Sequence, residues 1–177
     1  MVKILFVGRL DTPKNPLMLL RVAEKTLKAH PDVLFTLVGD GEFYGDCHDF
    51  ITSHNLSDNV QLVGWQNNVQ QFYASHDIFI MTSIYEAFGL IFLEAGYNKL
   101  PTVATNVEGI PEVIENGVTG LLSDANNEEM MVANLTKLIE DADLRIKMGE
   151  NAYRNVTTKF SADRMAEQYR QLYLIQK

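Results

Sequence analysis

Two glutamates eight residues apart, Glu86 and Glu94, bracket a glycine at position 89 in the stretch Met-Thr-Ser-Ile-Tyr-Glu-Ala-Phe-Gly-Leu-Ile-Phe-Leu-Glu-Ala-Gly that runs from 81 to 96. After Gly89 an apolar segment at helical spacing begins, with Leu90, Leu93 and Tyr97 as its recurrent positions. Glu86 then falls in the turn before a helix and Glu94 one turn into it, so both carboxylates can face one opening. The first N–H groups of a helix have no internal partner and suit a phosphate or another anion, and Gly89 lets backbone and ligand approach closely. An anion site flanked by carboxylates calls for a ligand that is both anionic and rich in hydroxyls. A sugar nucleotide meets both demands, with pyrophosphate at the helix terminus and ribose and hexose hydroxyls donating to the glutamates. The plainer account is that the helix dipole favours a glutamate near its start and that this spacing recurs in acidic chains.

Cations for the same crevice follow the first apolar run. Gly8-Arg9-Leu10 leads into Asp11-Thr12-Pro13-Lys14-Asn15-Pro16, where Arg9 and Lys14 flank a turn. A guanidinium fork and an ammonium point charge there could hold pyrophosphate oxygens, or both could be solvated surface cations. Gly39-Asp40-Gly41 allows either a tight turn or a close approach of backbone to ligand. Trp65, the single tryptophan, follows Gly64 and could lie beside a nucleobase or belong to the core. In Asn106-Val107-Glu108-Gly109-Ile110-Pro111-Glu112, Pro111 suits a helix start, and the backbone of Gly109 and Ile110 could touch the ligand. Cys47, His48, Asp49 and His54 cluster in sequence, but their spacing matches no zinc pattern and fits the polar face of a helix, so no metal site is expected. Neither Gly-x-Gly-x-x-Gly after the first strand nor a Gly-x-x-x-x-Gly-Lys segment occurs, which counts against dinucleotide binding and ATP hydrolysis.

The elements that position these residues alternate. Short apolar runs at 2–7, 33–38, 60–63, 78–81, 102–104 and 120–122 read as strands, and segments at 15–29, 43–54, 69–74 and 90–98 read as helices. That order predicts an α/β fold with a parallel sheet wrapped by helices, and each run ends in glycine or a polar residue that would rim a crevice at the carboxyl ends of the strands. Beyond about residue 125 only helices are expected, at 127–141, 142–160 and 161–176, the last capped by Ser161 and carrying Met165, Tyr169, Leu172 and Tyr173 on one side. The 177 residues suffice for one core, so a single domain is expected. An apolar fraction of 46% and a charged fraction of 21% are ordinary for a globular protein, and no apolar run approaches the roughly 18 residues of a membrane span. Acids outnumber bases 23 to 15, which disfavours nucleic acid as a partner. With one cysteine no internal disulfide can form, compatible with a reducing, cytoplasmic setting.

Several motifs agree in order as well as type: Gly8-Arg9-Leu10 with Lys14, Val38 to Gly41, Val60 to Gly64, Ser83-x-x-Glu86-Ala87-Phe88-Gly89, Glu94-Ala95, Pro101, Gly109-x-Pro111-Glu112 and Asn116-Gly117-x-Thr119-Gly120. Over nearly its whole length the chain resembles the C-terminal, donor-binding domain of retaining glycosyltransferases of the two-domain GT-B type, the group-1 family that includes sucrose-phosphate synthases and many polysaccharide mannosyl- and glucosyltransferases. Glu86 and Glu94 match that family's Glu-x7-Glu motif. The resemblance implies a Rossmann-like parallel sheet of about six strands flanked by helices, with C-terminal helices packed on the sheet. It assigns Arg9 and Lys14 to the donor pyrophosphate, Glu86 to the transferred sugar, Glu94 to the ribose hydroxyls, and backbone contacts to Phe88, Gly89 and Leu90. Gly8, Gly39, Asp40, Gly41 and Trp65 complete the expected donor site. The expected substrate is a nucleotide diphosphate sugar, UDP- or GDP- ahead of ADP-linked, with no cofactor.

Two departures from the family pattern stand out. Many relatives carry Gly-Gly before the Ile-Pro-Glu segment, where this chain has Glu108-Gly109. Family members also have an N-terminal Rossmann-like domain that binds the acceptor, and here residues 1–177 are all assigned to the donor-binding domain. The acceptor, a glycan, lipid or small molecule, would be reached through that missing domain or a partner chain, which could also bring the protein to the cytoplasmic membrane face. The isolated domain is expected to be inactive in transfer. The competing expectations are a non-catalytic nucleotide-binding module and a subunit of a two-chain transferase.

Overall fold

The computed structural model describes residues 1–175, so the predicted end of the last helix at residue 176 lies outside the described residues. Six strands, β1 (Lys3–Val7), β2 (Leu34–Val38), β3 (Val60–Gly64), β4 (Ile78–Met81), β5 (Thr102–Thr105) and β6 (Gly120–Ser123), form one sheet. Their order is β3-β2-β1-β4-β5-β6, and every pairing is parallel. Helices cover both faces of a sheet built this way, so its strands read as unbroken apolar runs. Ile4, Leu5 and Phe6 of β1 and all of Ile78–Met81 are buried.

The chain steps outward from β1 to β2 and β3, then returns to the other side of β1 to lay down β4, β5 and β6. The order therefore reverses between β1 and β4, and in open α/β sheets ligands bind at the carboxyl ends of the strands at such a switch point. The loops after β1 and β4 are those that carry Arg9, Lys14 and Glu86.

The helices are α1 (Pro16–Ala29), α2 (Tyr44–Ser53), α3 (Gln70–Ser75), α4 (Leu90–Tyr97), α5 (Ile110–Val113), α6 (Glu128–Glu140), α7 (Ala142–Lys159) and α8 (Ala162–Ile175). A 3-10 turn at Thr12–Lys14, not expected from the sequence, precedes α1. Helix α1 buries Met18, Leu19, Val22 and Ala23 and packs beside α6, where Arg21 and Lys25 meet Glu128 at 2.5 and 2.9 Å. Helix α7 packs on α4. Ser161 caps α8 as expected, its hydroxyl accepting from the Arg164 N–H at 3.3 Å. The α8 positions Met165, Tyr169, Leu172 and Tyr173 are exposed, so the packing on the body of the domain comes from α6 and α7.

Two expectations about faces are corrected. The inward face of α4 is Phe92, Ala95 and Gly96, while Leu90 and Tyr97 are exposed. Because Leu-Ile-Phe-Leu-Glu-Ala-Gly-Tyr is apolar almost all round, its period does not select a face and the sheet beneath does. Cys47 lies wholly inside the core rather than on the polar face of α2, separated from its exposed neighbours His48 and Asp49.

Candidate functional site

Three loops at the carboxyl ends of β1, β2 and β3 are stitched together by backbone hydrogen bonds. The Gly8 N–H donates to the Val38 carbonyl at 3.0 Å, Leu10 to Asp40 at 2.9 Å, and Gly39 to Gly64 at 2.9 Å. The paired glycines answer to this packing. Gly39, at φ +144°, and Gly41 lie so close to the carbonyls of Gly8 and Leu10 that neither position has room for a Cβ. Both are glycine because two loops pass in contact, and the result is a crevice of about 230 Å³ walled by Gly8, Arg9, Gly39, Asp40 and Trp65. Trp65 is 67% exposed, so it is no core residue, and its ring is available at the crevice rim.

Asp11 organises the cation loop. It caps the 3-10 turn by accepting from the Lys14 N–H at 3.3 Å, and its other oxygen pairs with Arg9 Nη2 at 2.9 Å. Sequence reasoning passed over Asp11, although an aspartate three residues before Lys14 and ahead of Pro13 is a recognisable cap. The turn is then fastened to the far side of the switch point. The Thr82 hydroxyl donates to the Lys14 and Asn15 carbonyls at 3.0 and 3.1 Å, and the Ile84 N–H donates to Pro13 at 2.9 Å. Across this seam the Lys14 ammonium forms an ion pair with Glu86.

Glu86 is held from below as well. Gly109 donates its N–H to the Glu86 carbonyl at 3.0 Å and packs so tightly against Ala87 that a Cβ would overlap the Ala87 carbonyl. The Ile110 N–H is taken by the Val107 carbonyl at 3.1 Å. The N–H donors of Gly109 and Ile110 are thus both engaged within the protein, so a backbone contact from this segment to a ligand would not be made through these two amides. Glu108 adopts φ +42°, a left-handed conformation that glycine takes without strain and glutamate does not.

At the head of α4, Gly89 takes φ +78°, and a Cβ there would strike the Phe92 ring and crowd Glu86. Among the described residues no side chain caps this terminus; the Phe92 N–H donates to the Gly89 carbonyl at 3.0 Å, and the first helix donors, at Leu90 and Ile91, are left open. One turn on, Glu94 accepts a hydrogen bond from the Tyr73 hydroxyl at 2.9 Å through its Oε2. The sequence holds no hint of this contact, because a lone tyrosine 21 residues away has no spacing that ties it to Glu94. Among the described residues, no three His, Cys, Asp or Glu side chains gather closely enough to hold a metal ion, and no helix is long and apolar enough to cross a membrane.

Arg9, Lys14 and Glu86 thus sit on the loops after β1 and β4 and Glu94 one turn into α4, with Lys14 and Glu86 paired across the seam and Arg9 paired with Asp11 in its own loop. Residues 2–155 match the family described as glycosyl transferases group 1. The chain is 29% identical over 171 residues to the Escherichia coli UDP-Gal:alpha-D-GlcNAc-diphosphoundecaprenol alpha-1,3-galactosyltransferase, a match that covers 95% of this chain and 44% of that protein. Among solved structures, TarM of S. aureus, a G-to-R mutant in complex with fondaparinux, alpha-GlcNAc-glycerol and UDP, superposes with a TM-score of 0.92 at 27% identity, covering 97% of this chain and 35% of that one. The C-terminal domain of a group 1 glycosyl transferase, LpcC of Francisella tularensis, superposes with a TM-score of 0.83 at 27% identity, covering 91% of this chain and 87% of that one. The chain spans under half the length of the curated relatives it matches.

Proposed function

Because the chain belongs to the group 1 glycosyl transferases, we propose that it is the donor-binding half of a retaining glycosyltransferase, which takes a nucleotide diphosphate sugar and passes the sugar to a glycan, lipid or small-molecule acceptor. The observation that carries this reading is the meeting of Lys14 and Glu86 at the switch point, beside the uncapped N-terminus of α4. Arg9, Lys14 and the α4 amides take the diphosphate, Glu94 the ribose, and Glu86 the transferred sugar. UDP in the TarM complex supports a UDP-sugar as donor. Trp65 lies at the rim where a base would stack.

In the reaction, the bond from the sugar anomeric carbon to the diphosphate breaks as the acceptor oxygen bonds that carbon from the same face. The departing phosphate oxygen receives the acceptor's proton. Positive charge from Arg9, Lys14 and the helix terminus answers the charge growing on the leaving diphosphate, a preorganised effect of several kcal/mol. Acceptor binding belongs to a further domain or partner chain, which also excludes water. A role in polysaccharide assembly at the cytoplasmic membrane face fits the lipid-diphosphate acceptor named for the E. coli relative.

Thermal-shift and calorimetric titration of the chain with UDP-, GDP- and ADP-sugars tests this, because a ligand bound to the native state raises the melting temperature. A nucleotide sugar that binds more tightly than its parent diphosphate is the expected result. Binding of diphosphates with no contribution from any sugar would instead describe a nucleotide-binding module.

A further inference from the structure

Helix α3 holds Glu94 at two points. The first is the hydrogen bond from the Tyr73 hydroxyl to the Glu94 carboxylate, 2.9 Å long. The second runs through Asn98, whose amide donates to the Glu94 carbonyl at 2.8 Å and accepts from the Gln70 side chain at 2.6 Å. Glu94 is otherwise an exposed residue on a helix, and a free glutamate side chain samples several rotamers. Tyr73 has no such freedom. It is 1% exposed, and its ring leans on Phe79 of β4 with centroids 5.9 Å apart, while Phe79 meets Phe92 of α4 edge-on at 6.1 Å. The phenol is therefore a rigid post rising from the core beneath the exposed carboxylate.

We propose that Tyr73 is a positioning residue for ribose recognition: by occupying Oε2 of Glu94 it fixes the carboxylate so that its remaining lone pairs face the donor's ribose hydroxyls. This rests on the assignment of Glu94 to the ribose. A carboxylate offers about four acceptor sites on two oxygens, so one hydroxyl donor on Oε2 leaves room for two from the ligand. Burial and the adjacent Glu94 charge push the Tyr73 phenol above its ordinary pKa, so it stays a donor throughout the working range. Tyr73 touches no substrate in this scheme and acts only through Glu94.

A buried tyrosine also needs a hydrogen-bond partner for its own sake, so the test must separate positioning from mere satisfaction of the phenol. The probes are the tightest binder among UDP, GDP and ADP and its 2′,3′-dideoxy analogue, titrated calorimetrically against the wild-type chain, Tyr73→Phe, Glu94→Gln and the double variant, with melting temperatures alongside. Tyr73→Phe keeps the ring packing. It should lower the preference for ribose over dideoxyribose by about three- to tenfold, leave dideoxy affinity unchanged, and have no further effect in the Glu94→Gln background. Tyr73→4-aminophenylalanine, which restores a donor, should recover the preference. A full ribose preference in Tyr73→Phe, or equal losses for both probes, overturns the positioning role. If Glu94→Gln itself keeps the preference, the ribose assignment falls first and Tyr73 falls with it, an outcome distinct from loss in Glu94→Gln with retention in Tyr73→Phe.

Discussion

Lys14 and Glu86, 72 residues apart in sequence, form an ion pair that joins the loops after β1 and β4 across the switch point of the sheet. Their side chains are only 17% and 13% exposed, so each charge depends on the other when no ligand is present. Arg9 differs: its side chain is 79% exposed and its partner, Asp11, belongs to the same loop. The two cations proposed for the diphosphate should therefore fail differently when removed.

Lys14→Ala should weaken nucleoside diphosphate binding by about 1.5–3 kcal/mol and also lower stability by about 1–3 kcal/mol, since Glu86 loses its counter-charge in a partly buried setting. Arg9→Ala should weaken the diphosphate comparably but shift stability by less than about 1 kcal/mol, as exposed ion pairs contribute little. Calorimetry with diphosphate and nucleoside, together with urea midpoints, measures both. Equal loss of nucleoside and diphosphate would mean the cations only support the fold.

The two glutamates should separate by ligand. Glu94→Gln should weaken diphosphate and nucleotide sugar alike, by about 1–3 kcal/mol for hydrogen bonds to a charged acceptor. Glu86→Gln should remove only the increment that the sugar adds, provided the amide oxygen still meets Lys14. Diphosphate affinities that fall equally in both variants would contradict the division of roles.

Neighbouring positions 108 and 109 should respond in opposite directions. Glu108→Gly relieves a left-handed backbone, a strain of about 1–2 kcal/mol, against about 0.5–1 kcal/mol of added unfolded-state freedom, and should be neutral to about 1.5 kcal/mol stabilising. Gly109→Ala has an ordinary φ of −75° but places a methyl into the Ala87 carbonyl, and should cost about 1–3 kcal/mol with a looser Glu86 loop. Chemical denaturation reads both signs, and a stabilised Gly109→Ala would show that the loop can retreat freely.

His76 predicts an acid-side loss of stability. Its Nδ1 lies 2.7 Å from the Phe72 carbonyl and its Nε2 2.9 Å from the Thr36 hydroxyl, as suits a neutral ring with the proton on Nδ1. Burial lowers its pKa below the ordinary 6.5, with the Phe72 carbonyl and Asp77 opposing and Lys3 assisting. The unfolded chain then binds the proton more readily, so the contribution is intact above about pH 6.5 and is lost as pH falls through the folded value. Urea midpoints between pH 8 and 5 should fall more steeply in the wild type than in His76→Gln, and parallel curves would remove His76 from the account.

The alternation of strands and helices was legible in the sequence because a sheet covered on both faces demands apolar runs, and because glycine and polar residues must punctuate them. Arg9, Lys14, Glu86, Gly89 and Glu94 could be singled out for the same local reason: charge and glycine at loop and helix ends are visible one segment at a time. Tertiary structure decided whatever depends on two segments meeting. It turned Phe92, Ala95 and Gly96 of α4 inward, a choice that an almost wholly apolar helix does not encode in its own period. It buried Cys47 away from its polar neighbours and showed that Gly39 and Gly41 are glycines because the β1 loop passes against them. It set Glu86 against Lys14 and Glu94 against Tyr73, contacts across 72 and 21 residues that arise only when the sheet order brings β1 beside β4 and the core props α3 under α4.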